Sequence, residues 1–100
     1  MKGIVFTEFL EMVEREFGLE VVDRITSLPG LQSEGAYTAV GNYPHFELVT
    51  MLDELHSAVG LPHRDLIFAF GQSLLRTFAR AHASFFEDIG DALDFLNGIE

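Results

Sequence analysis

Apolar residues recur every three to four positions through most of this chain, and glycine or proline breaks the pattern between runs. From Ile4 to Phe17, Val5, Phe9, Met12 and Val13 form one line, widened by Phe6, Leu10 and Phe17. Glu8, Glu11, Glu14 and Glu16 are expected to face water, and Gly18 to end the helix in a left-handed conformation. A shorter helix is expected from about Leu19 to Leu28, turning Val21, Val22, Ile25 and Leu28 inward until Pro29 and Gly30 stop it. Leu31 to Tyr43 is the least regular stretch and reads as an ordered connection with a little extended structure. Pro44 suits the first turn of a helix whose inner register is Leu48, Val49, Met51, Leu52, Leu55 and Val59, closed by Gly60.

The most apolar run is Leu66 to Ala81, opened by Pro62 and helped by Asp65 near its positive end. Ile67, Phe70, Gly71, Leu74, Leu75 and Phe78 fall along one side of it. A glycine inside a helix costs about 1 kcal/mol relative to alanine, so Gly71 asks for a reason. Close packing of another helix is one, and a flat apolar ligand lying on this face is the other; spacing does not separate them. The pattern breaks around His82 to Ser84, Phe85 and Phe86 are expected to pack, and a last helix is expected from near Asp88. Its face of Ile89, Ala92, Leu93, Phe95, Leu96 and Ile99 is still apolar at Glu100, with no terminating residue, so the sequence reads as interrupted. An all-α chain follows.

Composition narrows what these helices do. One hundred residues make a single domain with a modest core. Sixteen acids against six bases give a formal charge of −10, which opposes binding to nucleic acid and to anionic membranes. No apolar run reaches the roughly eighteen residues that a membrane helix needs, and the N-terminus has no secretory pattern, so a cytoplasmic domain is the expectation. The absence of cysteine removes disulfides and thiolate metal sites. Ten phenylalanines and no tryptophan describe a greasy, phenyl-rich interior inside an acidic surface.

Catalytic or metal-binding patterns are hard to find. His45, His56 and His63 have no ligand spacing on one helix and are expected in solvent. His82 lies four residues after Phe78 and so projects from a similar side, where an axial ligand is conceivable. The glutamates of the first helix read as a solvated face, and the serines and threonines have no evident histidine and acid partners. No enzyme signature results.

Three blocks in order, MKGIVFTEFLEMVEREFG, GAYTAVGNYPHFEL and AFGQSLLRTFARAHASFFE, resemble the bacterial H-NOX family. Its members are haem-based nitric oxide and oxygen sensors related to the sensor region of soluble guanylate cyclase. The resemblance spans essentially the whole chain and implies the helical N-terminal part of the α+β H-NOX fold, covering one face of a haem. By matching position it implies that Val5 and Phe9 lie beside the bound gas and that Leu74 and Phe78, with Leu75 adjacent, meet the porphyrin. Gly71 matches the family's glycine at the bend between the distal and proximal halves.

The family's haem-ligating histidine would fall beyond Glu100, as would its Tyr-x-Ser-x-Arg propionate motif and C-terminal sheet. The resemblance therefore implies residues 1–100 of a domain truncated before its proximal ligand, with apolar faces free to self-associate. Because Val5, Phe9 and Leu74 carry no donor, nitric oxide is expected over oxygen as the ligand. The expected partners are a histidine kinase or a cyclic-dinucleotide enzyme. The alternative is a haem-free helical module that binds a partner helix or a second copy of itself through its phenylalanine face.

Overall fold

The N-terminus is tied down before the first helix begins. Lys2 and Asn42 form an isolated antiparallel bridge, the Met1 ammonium donates to the Tyr43 carbonyl at 3.0 Å, and the Gly3 amide donates to the Gly41 carbonyl at 2.7 Å. The approach is so close that a side chain at Gly3 would run into the Thr38 carbonyl oxygen. A computed structural model of the chain describes residues 1–78 and 84–98. Among them are five helices: α1 Gly3–Phe17, α2 Leu19–Thr26, α3 His45–Val59, α4 His63–Phe78 and α5 Ser84–Asn97.

Helix α1 is the hub, packed against α2, α4 and α5, while α3 lies across α2 and α4. The core is built from the apolar lines read in the sequence: Phe6, Phe9 and Met12 of α1, Leu48, Met51, Leu52 and Leu55 of α3, and Leu66, Phe70 and Leu74 of α4 are all buried. Gly18 separates α1 from α2 at φ +94° and ψ 168°. That conformation is open to glycine and costly for other residues, but it is extended rather than left-handed helical, so the chain turns sharply instead of capping in the expected way. Two ends also differ from the sequence reading. Helix α2 stops at Thr26, whose hydroxyl bonds back to the Val22 carbonyl, and α5 starts four residues before Asp88. Residues 79–83, with His82, and Ile99 lie outside the described set.

The long connection from α2 to α3 carries no strand among the described residues; aromatic rings and one carboxylate order it. Tyr37 stacks on Phe6 with ring centroids 4.6 Å apart, and Tyr43 meets the edge of both rings. Beneath them Glu47 of α3 is fully shielded from solvent, and its Oε1 accepts from the Ser33 hydroxyl at 2.5 Å and the Tyr37 hydroxyl at 2.8 Å. Oε2 has no partner of hydrogen-bonding geometry, although the backbone of Gln32 and Ser33 favours the charged form. Burial pushes this carboxyl up, but the donors outweigh it and leave it below the ordinary glutamate range. Burial, with the neighbouring carboxylate, pushes the Tyr37 hydroxyl up to about 12.

A candidate haem-facing wall where α1 meets α4

The residues singled out by sequence divide into two groups. Val5 and Phe9 of α1 and Leu74 and Phe78 of α4 are all buried in one continuous apolar cluster, as Gly71 is buried on α4. Leu75 stands apart: it is 51% exposed and borders a groove on the other side of α4. Adjacent helical residues point about 100° apart, so Leu74 and Leu75 cannot both face α1.

The two walls are in contact. Phe9 meets Phe70 edge to face at 5.3 Å, an attractive geometry worth about 1 kcal/mol beyond the area it buries. On the far side of α4, a side-chain carbon added at Gly71 would meet Leu93 of α5 at 3.4 Å, an ordinary contact. Packing against α5 therefore does not require a glycine here, since alanine would fit.

A polar seam runs beside the apolar wall. The Thr77 hydroxyl donates to Glu8 at 3.1 Å, and the Arg15 guanidinium donates to the Ser73 hydroxyl at 3.2 Å. Glu8 was expected in water and is instead only 8% exposed. It lies three residues after Val5 and four before Met12, on the buried line itself, and that spacing was the signal for it. Burial raises its carboxyl above the ordinary range, and repulsion from Glu11 adds to this against the Thr77 bond and the Arg15 charge. The seam occupies the hydroxyls nearest the wall, so Val5, Phe9, Leu74 and Phe78 present hydrocarbon only. Val5 also borders a separate mixed cavity of about 220 Å³, shared with Met1, Asn42, His45 and Asp91.

Val5, Phe9, Leu74 and Phe78 are at most 5% exposed and lie within the core, whereas the apolar cleft that offers room to a flat macrocycle opens between α4 and α5, bordered by Gly71, Leu75 and Leu93. These residues do not fit ligation of its metal: among the described residues no three histidine, aspartate or glutamate groups converge as a metal set. The described histidines are placed elsewhere. His45 is exposed and packs on Phe95, whereas His56 and His63, both expected in solvent, are half-buried with rings stacked at 4.4 Å. His63 Nε2 lies 2.7 Å from Asp53 and His56 Nδ1 lies 2.6 Å from the Leu61 carbonyl, so both rings are tied to the α3–α4 corner. No helix among the described residues is long and apolar enough to cross a membrane.

The fold has counterparts among known proteins. The H-NOX protein from K. algicida, solved as unliganded Fe(II), superimposes with a TM-score of 0.79 at 35% identity, over 88% of this chain and 48% of that one. A glycine-for-alanine mutant of the same protein gives 0.79 at 36% identity over the same shares. The H-NOX from Shewanella woodyi, solved in solution with IWP-051 bound in the Fe(II)CO state, gives 0.70 at 36% identity, over 100% of this chain and 53% of that one. The chain thus spans about half the length of these structures, and its five helices match the helical N-terminal part of their fold. A search of curated proteins gave no match. The Haem-NO-binding family model matches residues 2–100, and the chain belongs to that family of haem-based gas-sensor domains.

Proposed function

We propose that residues 1–100 form the distal helical part of a haem-based sensor of nitric oxide, without catalytic activity of their own, which signals to a partner protein in the cytoplasm. The observation that carries this reading is the apolar cleft of about 320 Å³ between α4 and α5, bordered by Gly71, Leu75 and Leu93, beside the buried Leu74 and Phe78. In the complete domain haem supplies the metal position where a diatomic gas binds. The residues of this chain would supply the distal part of its surroundings. Val5 and Phe9 would exclude water beside the gas, Leu74, Leu75 and Phe78 would meet the porphyrin, and a displacement of α4 at Gly71 would be passed to α5, which packs on it. Val5, Phe9 and Leu74 carry no group that donates a hydrogen bond to bound oxygen, which favours nitric oxide. The partner class is a histidine kinase or a cyclic-dinucleotide enzyme, by the family's habit.

The test is titration of the chain with haemin in the presence of imidazole, which supplies an iron ligand. A stoichiometric, saturable Soret band is expected, weakened by Phe78→Ala, by Leu74→Ala and by Leu75→Ala. A folded far-UV spectrum with no saturable band overturns the reading. A second reading, a haem-free interaction module, is favoured by one observation: Phe68 and Leu75 are 67% and 51% exposed on the outer face of α4.

A further inference from the structure

We propose that Tyr37 is a positioning residue for the gas side of the domain: stacked on Phe6, it fixes where the first turn of α1 holds Val5. The proposal rests on the reading of Val5 as a residue beside the gas, and adds what keeps it there. Little within α1 sets its own start. The lysine at its N-cap is not one of the side chains that cap a helix, and the first turn carries no acid to meet the positive end. The long connection sets the start instead. The Tyr43 amide donates to the Met1 carbonyl at 3.0 Å and the Gly3 amide to the Gly41 carbonyl at 2.7 Å. The connection is itself tightly folded, with the Thr38 amide donating to the Tyr43 hydroxyl at 2.8 Å.

Tyr37 is the strut of this arrangement. Its ring lies 4.6 Å from that of Phe6 and 15° from parallel, and Phe6 is fully buried. Its hydroxyl donates at 2.8 Å to Glu47 of α3, which is fully buried as well. The side chain therefore spans α1 to α3 and is held at both ends, at one by ring contact and at the other by a charge-assisted hydrogen bond. Val5 and Phe6 are consecutive residues of one helical turn, so Phe6 cannot shift without carrying Val5. Val5 faces another way, and with Ala92 of α5 it borders the mixed cavity of about 220 Å³. Close packing on every side would hold Val5 whatever Tyr37 did, but the cavity leaves it room to move. The space beside the gas is thus set by a residue of the connection that touches neither gas nor pigment.

The test compares Tyr37→Leu, which removes the stacked ring, with Tyr37→Phe, which keeps it. In the haem-free chain, cross-relaxation between the Val5 and Ala92 methyl groups is measured by NMR. It is expected to change roughly twofold in Tyr37→Leu, as a sub-ångström displacement produces, and to keep the parent value in Tyr37→Phe. Leu55→Ala, a loss of core volume in the later turns of α3, lowers stability and is expected to leave the cross-peak unchanged. With haemin, imidazole, a reductant and carbon monoxide added, the C–O stretching band is expected to move in Tyr37→Leu and to stay in place in Tyr37→Phe. A parent chain that gives a Soret band, in which either the cross-peak or the stretching band is unmoved by Tyr37→Leu, overturns this proposal alone. So does an equal change in Leu55→Ala, which would make Tyr37 one core residue among many. A parent chain with no Soret band overturns the reading of Val5 and this proposal with it.

Discussion

Glu8 and Glu47 are both glutamates buried at helical positions that the packing pattern reserves for apolar side chains, and their environments drive them in opposite directions. Glu8, at the α1–α4 seam, has one hydroxyl donor, Thr77, and a like charge nearby in Glu11; its carboxyl is pushed above the ordinary range. Glu47, under the long connection, has two hydroxyl donors and supporting backbone, and is held below it. Both are shielded from water, Glu47 completely and Glu8 nearly so. Burial therefore does not decide the charge state; the number of donors aimed at the carboxylate does. The contrast also divides labour. Glu47 fastens an otherwise unstructured connection to the core, whereas Glu8 leaves the seam beside the haem wall less firmly held.

The largest effect is expected at Glu47. Replacing it with alanine leaves the Ser33 and Tyr37 hydroxyls without their shared acceptor in a dry site, and charged hydrogen bonds of this kind are worth about 1.5–3 kcal/mol. Glu47→Ala is expected to lower unfolding stability by about 3 kcal/mol in urea and to open the 27–44 segment to proteolysis. The comparison breaks if Glu8→Ala costs as much. Tyr37→Phe is a gentler test: it removes one donor and keeps the ring stacked on Phe6, so a loss of about 1 kcal/mol is expected. The same variant weakens the hold on Glu47, so its acid unfolding midpoint should move to higher pH. The sign follows from linkage. A carboxyl lowered in the folded state stabilises above its ordinary range, and that stability is lost as pH falls through the folded value.

These residues also show which parts of the structure the sequence made legible. The helices and their core lines were readable because 3.6-residue periodicity is a local property, and glycine and proline punctuate it. Glu8 and Glu47 share a subtler local signal: each sits three or four residues from buried neighbours, Val5 and Met12 for one and Met51 for the other. Glu8 read as part of a solvated face, and Glu47 was not singled out, because the donors that make burial tolerable, Thr77, Ser33 and Tyr37, come from other parts of the chain. The stacking of His56 on His63 is likewise a tertiary event with no trace in spacing. On α4 the sequence put Leu74 and Leu75 on one face. Only the positions of α1 and α5 reveal that the helix has two working sides.

The smallest effect expected is also the one that probes the wall most directly. A carboxyl raised in the folded state makes its stabilising contribution below the ordinary glutamate range, and that contribution is lost as pH rises through the raised value. The native seam therefore disfavours the charged form of Glu8. Glu8→Gln removes that charge, ends the repulsion from Glu11 and keeps a carbonyl oxygen to accept from Thr77. The variant should be slightly more stable than the parent at pH 7, by less than about 1 kcal/mol, with the difference vanishing near pH 4 as Glu8 becomes protonated. Thermal melts of the two proteins at both pH values read this as a small rise in Tm at pH 7 only. An equal Tm difference at both values would show that volume or hydrogen bonding, and not charge, distinguishes Glu8 from its counterpart under the loop.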